Sequence, residues 1–298
     1  MAKKTTKDKL VLGIPTGSLQ ASTLDLLARA GYNISTSARS YYPSIDDEKV
    51  SVLMLRAQEM SFFVEAGNID VGLTGYDWIQ ENESDVVEVA ELIYAKHQMA
   101  PVRWVLAVPL ESPVKKPQDL NDGVIATELV NVTKKYFRAK GVNVKVEFSF
   151  GATEVKARLP QLYDGIVDVT ETGSSLEANR LRVVDTLLES TTRLIANTDT
   201  MKIAWKREKI ENLALLLKGA LEAREKAGLK MNVPRDKLEA VIKLLPAEKS
   251  PTISALSEAD WVAVEVIIEE RIERELVPQL RRAGACGIIT YPLNKVIP

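Results

Sequence analysis

The stretch Leu10-Val11-Leu12-Gly13-Ile14-Pro15-Thr16-Gly17-Ser18 sets the fold class. A five-residue aliphatic run ends in a Pro/Thr/Gly/Ser turn, and Leu24, Leu27 and Ala28 then recur at helical spacing until Gly31, placed to end the helix. The unit is strand, turn, helix. It returns along the chain: residues 70–73 lead into Gly75, 104–108 precede a proline-rich connection, 124–126 lead into a helix through Tyr136, and 166–169 lead into another. Alternating buried strands and helices predict an α/β fold with mainly parallel sheets.

The last eighty or so residues change character. After a Leu/Ala/Glu/Lys-rich helix over 210–226, residues 229–233 form a predicted strand and 235–245 a helix that Pro246 stops. Residues 252–256 make a second strand and 261–268 a third, in which Val262, Val264, Val266 and Ile268 share a face. Ile272, Leu276 and Leu280 then recur every four residues, Gly284 ends that helix, and 287–291 make the last strand. The order βαββαβ is the ferredoxin-like arrangement. A small appended domain of this kind is more often a binding or regulatory module than a catalytic one, and order alone leaves structural roles open.

The 298 residues correspond to about two domains, with three small ones possible. A formal net charge of −2 argues against nonspecific nucleic-acid binding. The single Cys286 excludes an intramolecular disulfide, the single His97 excludes a multi-histidine metal cage, and both read as structural. Chemistry must rest on carboxylates, hydroxyls, cations and backbone amides. The polar, lysine-rich start has no secretory apolar core, and no apolar run reaches membrane-spanning length, so a soluble cytoplasmic protein is expected.

The most informative stretch chemically is Asp168-Val169-Thr170-Glu171-Thr172-Gly173-Ser174-Ser175-Leu176, which follows a strand and opens a helix. Gly173 with the hydroxyls of Thr172, Ser174 and Ser175 at a helix start aims several donors at one point, as a phosphate requires. No lysine is present and the nucleotide P-loop spacing is absent. Asp168 and Glu171 would repel a bare anion but accept from sugar hydroxyls, which together suggests a phosphorylated ribose. The same residues also make an ordinary capped strand-to-helix turn. Gly72-Leu73-Thr74-Gly75-Tyr76-Asp77 is a second loop after a strand, where glycines allow close backbone approach. Arg56 could reach a phosphate or be simply solvated, and the alternating charges of residues 269–275 are a solvated helix face.

Taken together, Arg56-Ala57-Gln58-Glu59-Met60, the loop from Asp70 to Trp78, Thr127-Glu128-Leu129-Val130, Gly151-Ala152-Thr153-Glu154-Val155-Lys156, the 170–176 segment and Tyr291-Pro292-Leu293-Asn294-Lys295 resemble one family, the long form of ATP phosphoribosyltransferase, which opens histidine biosynthesis. The resemblance runs from Leu10 to the end of the chain. It implies two α/β domains built like a type II periplasmic binding protein, the first from residues 1–100 and 190–216 and the second from 101–189, followed by an ACT-like regulatory domain over 217–298. It implies transfer of ribosyl-5-phosphate from phosphoribosyl pyrophosphate to a ring nitrogen of ATP's adenine, releasing pyrophosphate with Mg²⁺ present and no metal ligand assigned among the side chains. By position, Thr172, Gly173, Ser174 and Ser175 would hold the 5-phosphate, Asp168 and Glu171 the ribose hydroxyls, and Arg56 the phosphates of ATP or pyrophosphate. Leu73, Thr74, Gly75 and Asp77 would line the cleft opposite. The resemblance also implies a homo-oligomer, dimer or hexamer, inhibited by L-histidine, for which Asn232, Thr252 and Gly287 are the expected effector contacts. One departure stands out: many relatives carry Lys where this chain has Thr16, which weakens the positive charge available to ATP.

Two rivals remain at this level: a non-catalytic solute-binding or sensor protein on the same scaffold, and a phosphoribosyltransferase for a free base. The missing leader and the sugar-phosphate loop weigh against the first.

Overall fold

A computed structural model describes residues 9–37, 40–94, 100–159, 162–246 and 250–297. His97 lies outside the described residues. The chain forms two compact units, one reaching to Ala28 and resuming over Tyr32–Ala214, the other running from Leu215 onward and including Arg29–Gly31.

Beside a two-stranded antiparallel pair, β2 (Ile34–Ser37) with β3 (Ser40–Ile45), the first unit holds two five-stranded sheets. One has the order β4 (Val50–Arg56), β1 (Leu10–Thr16), β5 (Val71–Gly75), β12 (Thr192–Ala196), β6 (Val87–Leu92). The other has the order β11 (Leu181–Ser190), β7 (Val102–Pro109), β10 (Gly165–Thr170), β8 (Val124–Thr127), β9 (Lys145–Phe148). Helices α1 (Gln20–Ala30), α2 (Ala57–Glu65) and α3 (Tyr76–Asn82) belong to the first lobe, and α4 (Val130–Ala139), α5 (Thr153–Lys156) and α6 (Ser174–Ala178) to the second.

The α/β alternation holds, but the sheets are mixed rather than mainly parallel. Each five-stranded sheet has two parallel and two antiparallel pairings. The cause is chain passage between lobes. β7 and β12 are the strands made on arrival in each sheet, and both insert antiparallel to their neighbours. Thr191 alone separates β11 in one sheet from β12 in the other. Periodicity reports burial, which is the same for either strand direction, so it cannot distinguish them.

Apolar strand faces pack against the helices. In the first lobe Met60 and Val64 of α2 close over Ile69 and Ile195; in the second, Trp104, Leu106, Ile125, Leu129 and Phe137 form the corresponding core. Full burial of each such side chain contributes about 1.5–3 kcal/mol. One buried charge is built into the first lobe just ahead of β5. The Asp70 carboxylate accepts from the Val11 N–H at 2.8 Å and from the Thr200 hydroxyl and the Lys206 ammonium at 2.7 Å each. With every oxygen engaged, it pins the start of β5 beside β1.

Helix α7 (Ala204–Glu222) carries the chain into the second unit, a four-stranded antiparallel sheet in the order β14 (Thr252–Ala255), β15 (Trp261–Glu269), β13 (Lys226–Pro234), β16 (Cys286–Pro292). Helices α8 (Leu238–Ile242) and α9 (Glu273–Arg282) complete the order βαββαβ. Leu229, Met231, Val233, Val262, Val264 and Val266 pack with Val241, Leu276 and Leu280. The first of these helices is shorter than the 235–245 expectation at both ends, since residues 235–237 form a 3-10 turn and the helix closes at Ile242. Among the described residues no helix is long and apolar enough to cross a membrane.

Candidate active site

In a sheet with parallel strands the loops that can meet a ligand gather beyond the strands' carboxyl ends. In the first lobe the parallel register sets Thr16 opposite Arg56, at the ends of β1 and β4, and β5 ends at Gly75. In the second lobe β8 and β10 end at Thr127 and Thr170, where Glu128 and the 171–175 turn begin. These ends face one cleft of about 560 Å³, lined among others by Thr16, Arg56, Gly75, Asp77, Trp104, Glu128, Glu171, Thr172, Ser174 and Ser175. The crossover segments supply Tyr94, Val102, Ser190, Thr191 and Thr192. A depression of similar size, about 590 Å³, lies between residues 109–123 and 157–164, at the opposite, amino ends of β8 and β10.

The first lobe's wall is largely fixed by its own bonds. Asp77 is buried; its Oδ2 accepts from the Trp104 indole N–H at 2.6 Å, its Oδ1 from the Trp78 amide at 3.0 Å, and its own amide donates to the Ser190 hydroxyl at 3.1 Å. Burial pushes its carboxyl above the usual range, while these bonds pull the other way. Gly75 is required beneath it, since a Cβ there would stand 2.0 Å from Asp77 Oδ1. Leu73 and Thr74 do not line the cleft as expected. Both are fully buried, and the Thr74 hydroxyl donates to the Ala57 carbonyl at 2.7 Å. The two-residue period of a central strand with covered faces puts both side chains inside the lobe. Arg56, at the start of α2, is exposed into the cleft.

The second lobe's wall is open. Gly173 has φ +87°, in the left-handed region that favours glycine, and precedes α6. Its amide donates to the Thr170 hydroxyl at 2.8 Å, while the Thr172 and Ser174 hydroxyls pair at 2.9 Å on the surface. Ser175 donates to Glu154 of α5. Asp168 sits one strand turn behind this loop, half-buried, and does not itself line the cleft. Its carboxyl is pushed up to about 7, first by burial and then by the charges of Glu154 and Glu128, with Lys156 opposing. The Lys156 ammonium donates to the Ser149 hydroxyl at 2.6 Å, which pairs in turn with Thr153.

Expected residues Arg56, Gly75, Asp77, Glu171, Thr172, Ser174 and Ser175 are thus brought together, with Gly173 in the turn between them. Sequence reasoning gave no role to Glu128, Glu154 or Lys156, although each lies in a segment that carried the resemblance. It had no signal at all for Trp104 or Ser190, which meet Asp77 across 27 and 113 positions of chain. In the second unit Asn232 pairs with Cys286 in register, and Gly287 lies against the Asn232 amide. Thr252 is on the same sheet face but at the edge strand, with β15 between.

The sequence profile of the family described as "ATP phosphoribosyltransferase" matches residues 56–219, and that of "HisG, C-terminal domain" matches 223–295. An ATP phosphoribosyltransferase of Chlorobium luteolum is 59% identical over 288 residues, 97% of each chain. Another, of Thermodesulfovibrio yellowstonii, is 58% identical over 293 residues, 98% of this chain and all of that one. Among solved structures, the ATP phosphoribosyl transferase (HisG:HisZ) complex from Thermotoga maritima aligns with a TM-score of 0.60 and 25% identity, over 70% of this chain and 98% of that chain. The chain belongs to the ATP phosphoribosyltransferase family in its long form, the pentosyltransferases that open histidine biosynthesis.

Proposed function

We propose that the cleft of the first unit is where this enzyme joins the ribosyl-5-phosphate of phosphoribosyl pyrophosphate to a ring nitrogen of ATP's adenine. The observation that carries the assignment is the pairing of two unlike walls on one cleft: the exposed hydroxyls of Thr172, Ser174 and Ser175 on one side, Thr16 and the exposed Arg56 on the other. Thr172, Gly173, Ser174 and Ser175 take the 5-phosphate; Glu171 on the cleft wall accepts from the ribose hydroxyls, with Asp168 the second carboxylate behind it; Arg56 meets the phosphates of ATP or the departing pyrophosphate. Gly75 leaves the room that Asp77 fills, and Asp77 keeps that edge of the cleft in place. The adenine nitrogen's lone pair forms the bond to C1 as the C1–O bond breaks, and that electron pair leaves on pyrophosphate. Such a step needs alignment and charge stabilisation more than a strong base.

Among the described residues no group of three or more metal-capable side chains could hold an ion by itself. The carboxylates of Asp168 and Glu171 beside the phosphate turn fit a Mg²⁺ that keeps its waters and is held chiefly by substrate phosphates. When bound, the ion neutralises charge on pyrophosphate. The division of the first unit into domains at 1–100 with 190–216 and at 101–189 is supported by the passage of the chain between sheets at Thr191, and the double crossover supports a type II periplasmic-binding-protein-like architecture.

The strand order and the βαββαβ succession support a ferredoxin-like, ACT-like regulatory domain over 217–298. Its open sheet face carries Asn232 and Gly287 side by side, which supports an L-histidine site there, with Thr252 belonging to it only from across β15 or from another subunit. Ile267 and Ile289, 45% and 58% exposed, support a homo-oligomer, dimer or hexamer. The reading expects a soluble enzyme of the cytoplasm, without nucleic-acid or membrane partners. The test is product formation from ATP and phosphoribosyl pyrophosphate with Mg²⁺ and a pyrophosphatase, with and without L-histidine. Turnover suppressed by histidine is expected; turnover indifferent to it removes the regulatory assignment, and a folded protein without turnover removes the catalytic one.

A further inference from the structure

Helix α4 starts badly on its own account. Leu129 occupies its N-cap, makes no side-chain cap, and the first turn contains no acidic residue. A helix start leaves amides unsatisfied, and a buried start requires partners for them. Here they come from the other lobe. The buried Glu81 of α3 accepts from the Asn131 amide at 2.9 Å with one carboxylate oxygen and from the Val132 amide at 3.0 Å with the other. The Asn131 side-chain amide returns a bond to the Glu81 carbonyl at 2.9 Å. Burial raises the Glu81 carboxyl while these amides hold it down.

The same helix makes the other ties between lobes already described. Asp77, one turn earlier, holds the Trp104 indole, and Trp78 packs edge-on against Trp104 with ring centroids 6.0 Å apart. One short helix thus grips both β7 and α4. The grip reaches the cleft directly: Glu128, which lines it, is the residue before the α4 cap, and the Leu129 amide is held by the Thr127 hydroxyl at 3.0 Å. Glu81 and Asn131 themselves do not line the cleft.

We infer that Glu81 is a positioning residue, a latch that ties α4 to α3 and so sets the resting aperture of the cleft between the two lobes. Hinge closure around a ligand is the usual motion of two lobes joined by crossover segments. A latch that favours the narrow arrangement before substrate arrives raises the fraction of molecules ready to bind, and apparent affinity scales with that fraction. Losing it lowers affinity for both substrates by one common factor and leaves the saturated rate intact, because bound substrates close the cleft themselves. The inference rests on the cleft being the substrate site.

The experiment is Glu81→Gln, which keeps the shape but removes the charge and one acceptor. KM for ATP and for phosphoribosyl pyrophosphate is expected to rise together by about tenfold, with kcat within about twofold. Small-angle scattering is expected to give a larger radius of gyration than the parent without substrates and an equal one with both. Asn131→Ala, at an exposed position, removes only the return bond and is expected to raise both KM values about threefold, so the inference stays testable if Glu81→Gln does not fold. A lowered Tm with parental KM values and parental scattering would make Glu81 a structural cap only and overturn the inference. A fall in kcat at unchanged KM would overturn it as well. An enlarged substrate-free particle with unchanged KM values would instead count against the cleft as the substrate site, since the scattering reads the aperture independently of it.

Discussion

The two walls of the cleft are built on opposite plans. On the first lobe the polar groups are spent on structure: Asp77 is buried and engaged at both oxygens, Thr74 is turned inward, and Gly75 exists to let Asp77 fold over it. On the second lobe the hydroxyls of Thr172 and Ser174 face solvent and bond chiefly to each other. Groups already satisfied in the interior cannot turn to a ligand without leaving an orphan behind, whereas surface hydroxyls exchange water or one another for a phosphate at little cost. One wall therefore defines where the ligand goes, and the other does the holding.

The strongest way to break that contrast is on the holding wall. Replacing Ser174 and Ser175 together by Ala removes two hydroxyl donors to an anion, each worth about 1.5–3 kcal/mol, so kcat/KM for phosphoribosyl pyrophosphate should fall by about 10² or more while Tm stays at the parental value. Steady-state kinetics beside a thermal melt checks it; parental kcat/KM would remove the cradle. Asp77→Ala on the defining wall should do the reverse in kind, costing about 1–3 kcal/mol and several degrees of Tm by leaving the Trp104 indole N–H unpaired, with activity falling because the wall moves. An unchanged melt would show that Asp77 is not the tie described here.

Asp168, on the second lobe, makes the contrast depend on pH. Its folded carboxyl lies near 7, above the unfolded value of 3.8, so the native state holds its proton more tightly and the fold loses stability as pH rises from about 4 to about 7, the penalty being complete above that. Asp168→Asn removes the penalty. The variant's Tm should equal the parent's at pH 4 and exceed it at pH 8, and the change in the parent's KM for phosphoribosyl pyrophosphate through pH 7 should flatten. A variant less stable than the parent at pH 8 would contradict the burial of that charge. The smallest effect is expected at Thr16, which faces Arg56 in register: Thr16→Lys adds a cation to the cleft edge and should lower KM for ATP about threefold, less at high salt.

Much of this was legible in one dimension because it is local. The aliphatic run at 10–14 with its Gly/Ser turn, the succession of six elements after residue 226, and the glycine and hydroxyls of 172–175 each follow from a few neighbouring residues and the short-range sterics and hydrogen bonding they obey. Where expectation and structure part, the cause is distance along the chain. Leu73 and Thr74 were expected in the cleft because the resemblance carried the whole segment over by position, and the covered faces of β5 turned them inward. The sheets looked parallel because burial patterns carry no direction, and β7 and β12 arrived reversed.

By itself, then, the sequence determined the α/β character, the appended C-terminal module, the turn able to take a phosphate and the family. Only the tertiary structure decided which residues share a cleft, that Asp77 is held by Trp104 and Ser190, that burial lifts Asp168, and that an uncapped Leu129 is tolerated because Glu81 arrives from another lobe. The reason is physical. Backbone geometry and patterning act over a few residues, while burial, charge and hydrogen-bond satisfaction depend on what packs alongside, which is set only when chain segments a hundred residues apart meet.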